Sequence, residues 1–218
     1  MSMDLTGILN QNEYYTNHYF SSVFEDNARE TIRQWQDTAA QCGEKTPWAK
    51  LNAIASRYFT LRDRANRLRS DIMLEPVVSE LAFDVLTALG YPISAHSSKM
   101  IEVEPGVFVP VALELNKANG APALWVILCR NGSDEESIMD SVRFMTSWQG
   151  YDDEETGYSA EKTAEELTHM TNEELLSKVL FGMDEPPRWV LFVGLHQIAL
   201  IDRNKWNEKR FLVFQLDD

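Results

Sequence analysis

The chain has 218 residues, 44% of them hydrophobic, and a formal net charge of -14. That length and apolar content suit one domain with a sizeable core, and 6 Trp with 10 Phe exclude a wholly disordered chain. The acidity excludes a general binder of phosphate backbone, but it is unevenly spread: residues 1–72 carry 9 acidic and 9 basic side chains, the remainder 25 and 11. A DNA contact must therefore be local, metal-bridged or supplied by another part of a larger protein. No run approaches the roughly 20 apolar residues that span a bilayer, and no basic segment precedes an apolar one at the N-terminus. The default expectation is a cytoplasmic protein with no membrane partner. Cys42 and Cys129 read as buried free thiols and supply no metal-ligand cluster.

Residues 12–40 read as a helix, with Tyr15, Tyr19, Val23, Ile32 and Trp35 at roughly helical spacing. Gly43 and Pro47 break it. A second helix is expected over 47–68, with Pro47 in its first turn. Together these form an N-terminal helical arm, residues 1–70, ahead of a domain over 71–218. A third helix over 71–89 tolerates Pro76 in its first turn and ends at Gly90. The period then changes. Residues 100–104 and 107–115 read as strands joined at Pro105-Gly106. Asn119-Gly120 marks a hairpin into an apolar strand over 123–129, suited to the middle of a sheet. A short helix is expected within 134–148, and the acidic run Asp152–Glu155 reads as a surface loop. Thr171 and Glu174 form a capping-box pattern at the start of a helix over 171–180. Three strands follow, over 188–194, Gln197–Asp202 and Phe211–Leu216. The fold class is α/β with a mixed sheet.

Few residues suggest chemistry. Glu80 falls on the third helix. Glu114 alternates with Leu113 and Leu115 on a strand, where a polar-face residue is the plain reading. Asn116 and Lys117 follow it. Glu102 and Glu104 share a strand face and suit an exposed edge, or a metal held with Glu114. His18, His96, His169 and His196 have no metal-ligand spacing and read as packed or exposed imidazoles. Arg57, Arg62, Arg64, Arg67 and Arg69 form the one concentrated basic segment. It suits phosphate contact, docking of another domain, or pairing with the acidic portion.

The run PVALELNKANGAPALWVILCR at 110–130 resembles the core of a nuclease of the PD-(D/E)xK kind, whose apolar strand carries Glu-x-Lys near its end. Here Leu128 and Arg130 stand at those places. GILNQNEYYTNHYFSSVFE, RLRSDIMLEPVVSELAFDVLTALGYP, EPPRWVLFVGLHQIALIDRNKW and FLVFQLDD follow in an order that resembles the N-terminal region of large type IIG-like restriction–modification proteins. The resemblance implies a restriction-endonuclease-like mixed sheet preceding an adenine-specific DNA methyltransferase and a target-recognition region. It implies Glu80 and Glu114 as catalytic residues, Glu114 as a ligand of Mg²⁺, and double-stranded DNA as partner. An arginine in place of the lysine is a poor general base, since its pKa stays above about 12. A non-catalytic DNA-binding or interdomain coupling module is the alternative, and a structural partner-binding domain a third.

Overall fold

The computed structural model describes residues 5–93, 98–131, 133, 135–144 and 159–217. Strand β1 (Ile8–Gln11) leads through a π-helical turn into helix α1 (Phe24–Cys42), followed by α2 (Pro47–Ala65) and α3 (Asp71–Ala88). Strands β2 (Lys99–Glu104), β3 (Val107–Val111), β4 (Leu113–Asn116) and β5 (Pro122–Leu128) follow. Helices α4 (Ala160–Leu167) and α5 (Asn172–Lys178) lead to β6 (Trp189–Val193), β7 (Gln197–Asp202), a short α6 (Arg203–Trp206) and β8 (Phe211–Gln215).

Six strands form one mixed sheet in the order β1-β8-β7-β6-β5-β4. Among the described strands only β5 and β6 run parallel, pairing Trp125 with Val190 and Leu128 with Val193. A parallel pair needs a long crossover, and the segment bearing α4 and α5 supplies it. The early and late strands thus share a sheet. The expected strand over 107–115 is instead divided at Ala112: β4 joins the sheet, while β3 pairs with β2 in a separate ribbon. Pro110 has no N–H to donate and lies just before the point where the two ladders part.

Side chains alternate across the sheet with period two. Leu124, Val126 and Leu128 face α2 and α3, joining Tyr58, Leu61, Val78, Leu81 and Leu86. Trp125, Ile127 and Cys129 face the other way, toward Val109 and Val111 of β3 and Leu175 and Leu176 of α5. The stretch expected as a helical arm therefore contributes β1 to the sheet edge and Tyr58, Leu61 and Ala65 to the core. By contrast, α1 has no buried residue. Phe24, Ala28, Ile32 and Ala39 are half-buried, and exposed Trp35 lies 6.3 Å from the Trp48 ring.

Local signals explain the helix ends. Gly90 adopts φ 87°, and Tyr91 N–H bonds to Leu86 O at 2.9 Å while Gly90 N–H bonds to Thr87 O at 3.0 Å. That is a Schellman closure, which a side chain at position 90 would strain. Thr171 and Glu174 make both bonds of the capping box. Pro76 lies in the interior of α3, past the first turn where it was expected. The carbonyl its ring leaves unbonded belongs to Ile72, a residue 71% exposed, so water reaches that turn. No helix forms over the described part of 134–148; Arg143 there is bridged to Cys129. Buried Arg143 donates to the carbonyls of Leu167 and, at 3.0 Å, Met170, at the C-terminal end of α4. Burial lowers its pKa to about 10. The run 152–155 lies outside the described residues. Both cysteines are free; Cys129 is buried, its thiol pushed up to about 12 by burial, whereas Cys42 at the end of α1 is exposed. Among the described residues no helix is long and apolar enough to cross a membrane.

Candidate functional site at the ends of the parallel strands

Ligands of open α/β sheets sit beyond the carboxyl ends of parallel strands. In this chain that place is the joint end of β5 and β6, where Arg130, Asn131 and the β6–β7 turn meet α2 and the start of α3. Arg130 is half exposed, and its Nη1 lies 3.4 Å from Asp71 Oδ1 on α3. Asp71 is two residues beyond Arg69, so the α2–α3 turn, which follows Arg64 at the end of α2 and carries Arg67 and Arg69, leads directly into the residue that pairs with Arg130. Arg64, Arg67 and Arg69 are exposed and have no ion pair among the described residues. Arg57 and Arg62 are not free in the same way. Arg57 pairs with Glu80 and, at 2.7 Å, with Asp84. Burial pushes the Asp84 carboxyl up, against the pull of Arg57. Arg62 pairs with Asp217 and lies 3.7 Å from Asp63.

The two carboxylates singled out in the sequence do not converge. Glu114 stands opposite Trp125 in the β4–β5 ladder, and directly opposed residues share a face. It therefore lies on the Trp125 face, where Lys99 Nζ reaches its Oε2 at 2.6 Å. Glu80 belongs to α3, which packs on the Leu128 face, and its partner is Arg57. The sheet lies between them. Glu102 and Glu104 are exposed on β2, with a bulge between them and Glu102 Oε1 accepting from Gly106 N–H at 2.9 Å. Asn116 and Lys117 are exposed at the end of β4. Among the described residues no group of three or more His, Cys, Asp or Glu is placed to hold a metal ion. Mg²⁺ needs several oxygen ligands on one point, and this arrangement does not fit it.

A polar cluster that the sequence did not reveal lies beside the arginine corner. Tyr58 OH donates to Asp217 Oδ1 at 2.9 Å, Arg62 Nη1 donates to the same oxygen, and His196 Nδ1 meets Asp217 Oδ2 at 2.6 Å. Burial alone would raise the Asp217 carboxyl; hydrogen bonds from His196, Arg62 and Tyr58 outweigh it and hold the group below its ordinary value. A carboxylate only accepts, so His196 carries its proton on Nδ1. Burial and the bond to Asp217 drive the Tyr58 hydroxyl well above its ordinary value. Sequence distance hides this cluster, since Tyr58 and Asp217 are 159 positions apart. His18 and His169 are exposed and take no part; His96 lies outside the described residues.

Asn131 fixes the turn that carries His196. Its Oδ1 accepts from His196 N–H at 3.1 Å, and its Nδ2 donates to Glu136 O at 3.0 Å. Gly194 makes room for it: a Cβ at 194 would fall 2.5 Å from Asn131 Cβ. Gly194→Ala is therefore expected to cost about 1–3 kcal/mol by overpacking. A urea midpoint equal to that of the wild type would show that Asn131 moves aside freely.

Comparison with family models, with curated proteins and with solved structures finds no match to this chain.

Proposed function

We propose that this chain is the N-terminal, nuclease-like region of a cytoplasmic DNA restriction–modification protein, acting ahead of methyltransferase and target-recognition regions, and that it grips duplex DNA without cutting it. The observation that carries the reading is Arg130. It stands where the nuclease pattern has its lysine, on the α3 side of the sheet, paired with Asp71 just after the turn that carries Arg67 and Arg69. Leu128, in place of the acid, is buried against the α3 core. The motif position of the acid thus holds an apolar side chain and that of the lysine a cation, whose partner is Asp71 of α3. Arginine forks bind phosphate oxygens in pairs, and Arg64, Arg67 and Arg69, exposed and without an ion pair among the described residues, oppose the chain's acidity locally. The order helix α3, antiparallel pair β4–β5, helical crossover and parallel β6 supports a restriction-endonuclease-like sheet.

The test combines binding with cutting. Duplex DNA should be retained by the chain, and adding Mg²⁺ should yield no nicked product. Glu114→Ala should leave retention unchanged, because Glu114 lies across the sheet from the corner. Mg²⁺-dependent nicking that disappears in Glu114→Ala would instead make Glu114 a metal ligand. Interdomain coupling is a second reading, favoured by the half-buried stripe of Phe24, Ala28, Ile32 and Ala39 on α1.

A further inference from the structure

We propose that Tyr58, Arg62 and His196 form a phosphate-binding pocket that Asp217 fills as an internal competitor. Three donors from two separate parts of the fold converge on one carboxylate. Each donor is held by contacts other than Asp217. Tyr58 is 7% exposed within the α2–α3 core, and its hydroxyl also lies 3.3 Å from Leu195 O. The Arg62 guanidinium lies over the Phe59 ring, 4.9 Å from its centre. The backbone of His196 is tied by Asn131 on one side and by Leu216 N–H, at 2.9 Å from its carbonyl, on the other. The pocket is therefore preorganised, whereas its occupant arrives on the segment that follows β8.

The donor set exceeds what a carboxylate uses. Arg62 Nε is buried and has no hydrogen-bond partner among the described residues. A carboxylate offers two oxygens, and Tyr58 with Arg62 already share one of them. A terminal phosphate offers three charged oxygens in a tetrahedron, enough for the hydroxyl, the imidazole N–H and both edges of the guanidinium. The ligand class is thus a phosphate dianion, either free or at the end of a nucleic acid. Among the described residues the acids paired with Arg62 are Asp63 and Asp217; Asp63 Oδ1 is 3.7 Å away on a side chain 64% exposed, so water screens that contact, and the Arg62 side chain is itself 27% exposed. The pocket stands apart from duplex binding by the arginine corner, so a failure of either leaves the other intact.

The experiment titrates inorganic phosphate into the full chain and follows the His196 ring resonances by NMR. Asp217→Ala removes the competitor and should raise phosphate affinity at least tenfold over wild type. Arg62→Gln added to that background should abolish the gain. A folded Asp217→Ala chain that binds phosphate no better than wild type overturns the proposal, and the cluster is then a structural clasp alone. If Asp217→Ala does not fold, Asp217→Asn serves, since it keeps an acceptor for Tyr58 and Arg62 but loses the charge. It should gain affinity by a smaller factor, and no gain again overturns the pocket. Repeating the titration with 5′-phosphorylated and 5′-hydroxyl oligonucleotides identifies the source. Tighter binding of the phosphorylated strand than of inorganic phosphate assigns a nucleic-acid end; equal binding assigns free phosphate.

Discussion

Trp125→Ala is expected to lower stability by about 3–5 kcal/mol, the range for deleting a large packed aromatic. Trp125 is 1% exposed and sits in the cluster with Val109, Val111 and Val190. It is the largest side chain on the β5 face that receives the β2–β3 ribbon, and β5 is a central strand with neighbours on both sides. Its removal leaves a cavity that neither the sheet nor the ribbon can close without breaking ladder bonds. The indole N–H is buried and has no acceptor among the described residues. Trp125→Phe deletes that orphan donor with part of the ring, so its loss should be clearly smaller. Both follow from urea denaturation with an unchanged slope. A loss below about 1 kcal/mol for Trp125→Ala would mean that the site collapses, contrary to the tight packing of the cluster.

Local chemistry was legible in the sequence. The C-terminus of α3 follows from Gly90, the start of α5 from Thr171 and Glu174, and the β4–β5 hairpin from Asn119-Gly120, whose turn closes with Lys117 N–H on Ala121 O at 2.8 Å. The apolar run of β5 predicted a strand covered on both faces, and alternate residues enter the two cores. Nonlocal pairing was not legible. Strand β1 is four residues with no alternation, and it exists because β8, some 200 positions away, offers an open edge. Nothing in the run from Val107 to Asn116 marks the division at Ala112 except Pro110. Pro76 was misplaced because the fold lets a solvated turn of α3 absorb its missing bond.

The site divides in the same way. The arginine cluster was visible as composition, but which of its members are spent could not be read. Arg57 and Arg62 find acids on α3 and after β8, while Arg64, Arg67 and Arg69 find none among the described residues. Arg130, noted as the replacement of a lysine, is tied to Asp71 at the start of α3, a contact the sequence does not show. The resemblance joined Glu80 and Glu114 as catalytic residues, with Glu114 alone as the metal ligand. The period of the strand places Glu114 on the face away from α3, a consequence of register that one residue of slip would have reversed. His196 reads as an ordinary imidazole until β8 returns Asp217 to it.

Arg64, Arg67, Arg69 and Arg130 are proposed together to hold DNA phosphates. Counterion release makes the signature of such binding a salt dependence. Four phosphate contacts predict a slope of log affinity against log salt of about -3.6, so that binding weakens roughly 150-fold between 50 and 200 mM salt. Each Arg→Gln change should flatten the slope by about 0.9, and by similar factors on unrelated duplex sequences, because backbone contacts carry no sequence information. Arg57→Gln should change the slope little, since two carboxylates, Glu80 and Asp84, already hold Arg57, whereas Arg130 has one longer contact, 3.4 Å to Asp71. The decisive measurement is the slope for the chain with all four arginines changed to Gln, set beside the wild type by fluorescence anisotropy. A slope near zero and binding close to background are expected. A slope equal to that of the wild type, or no duplex binding by the wild type at 50 mM salt, would contradict the proposal.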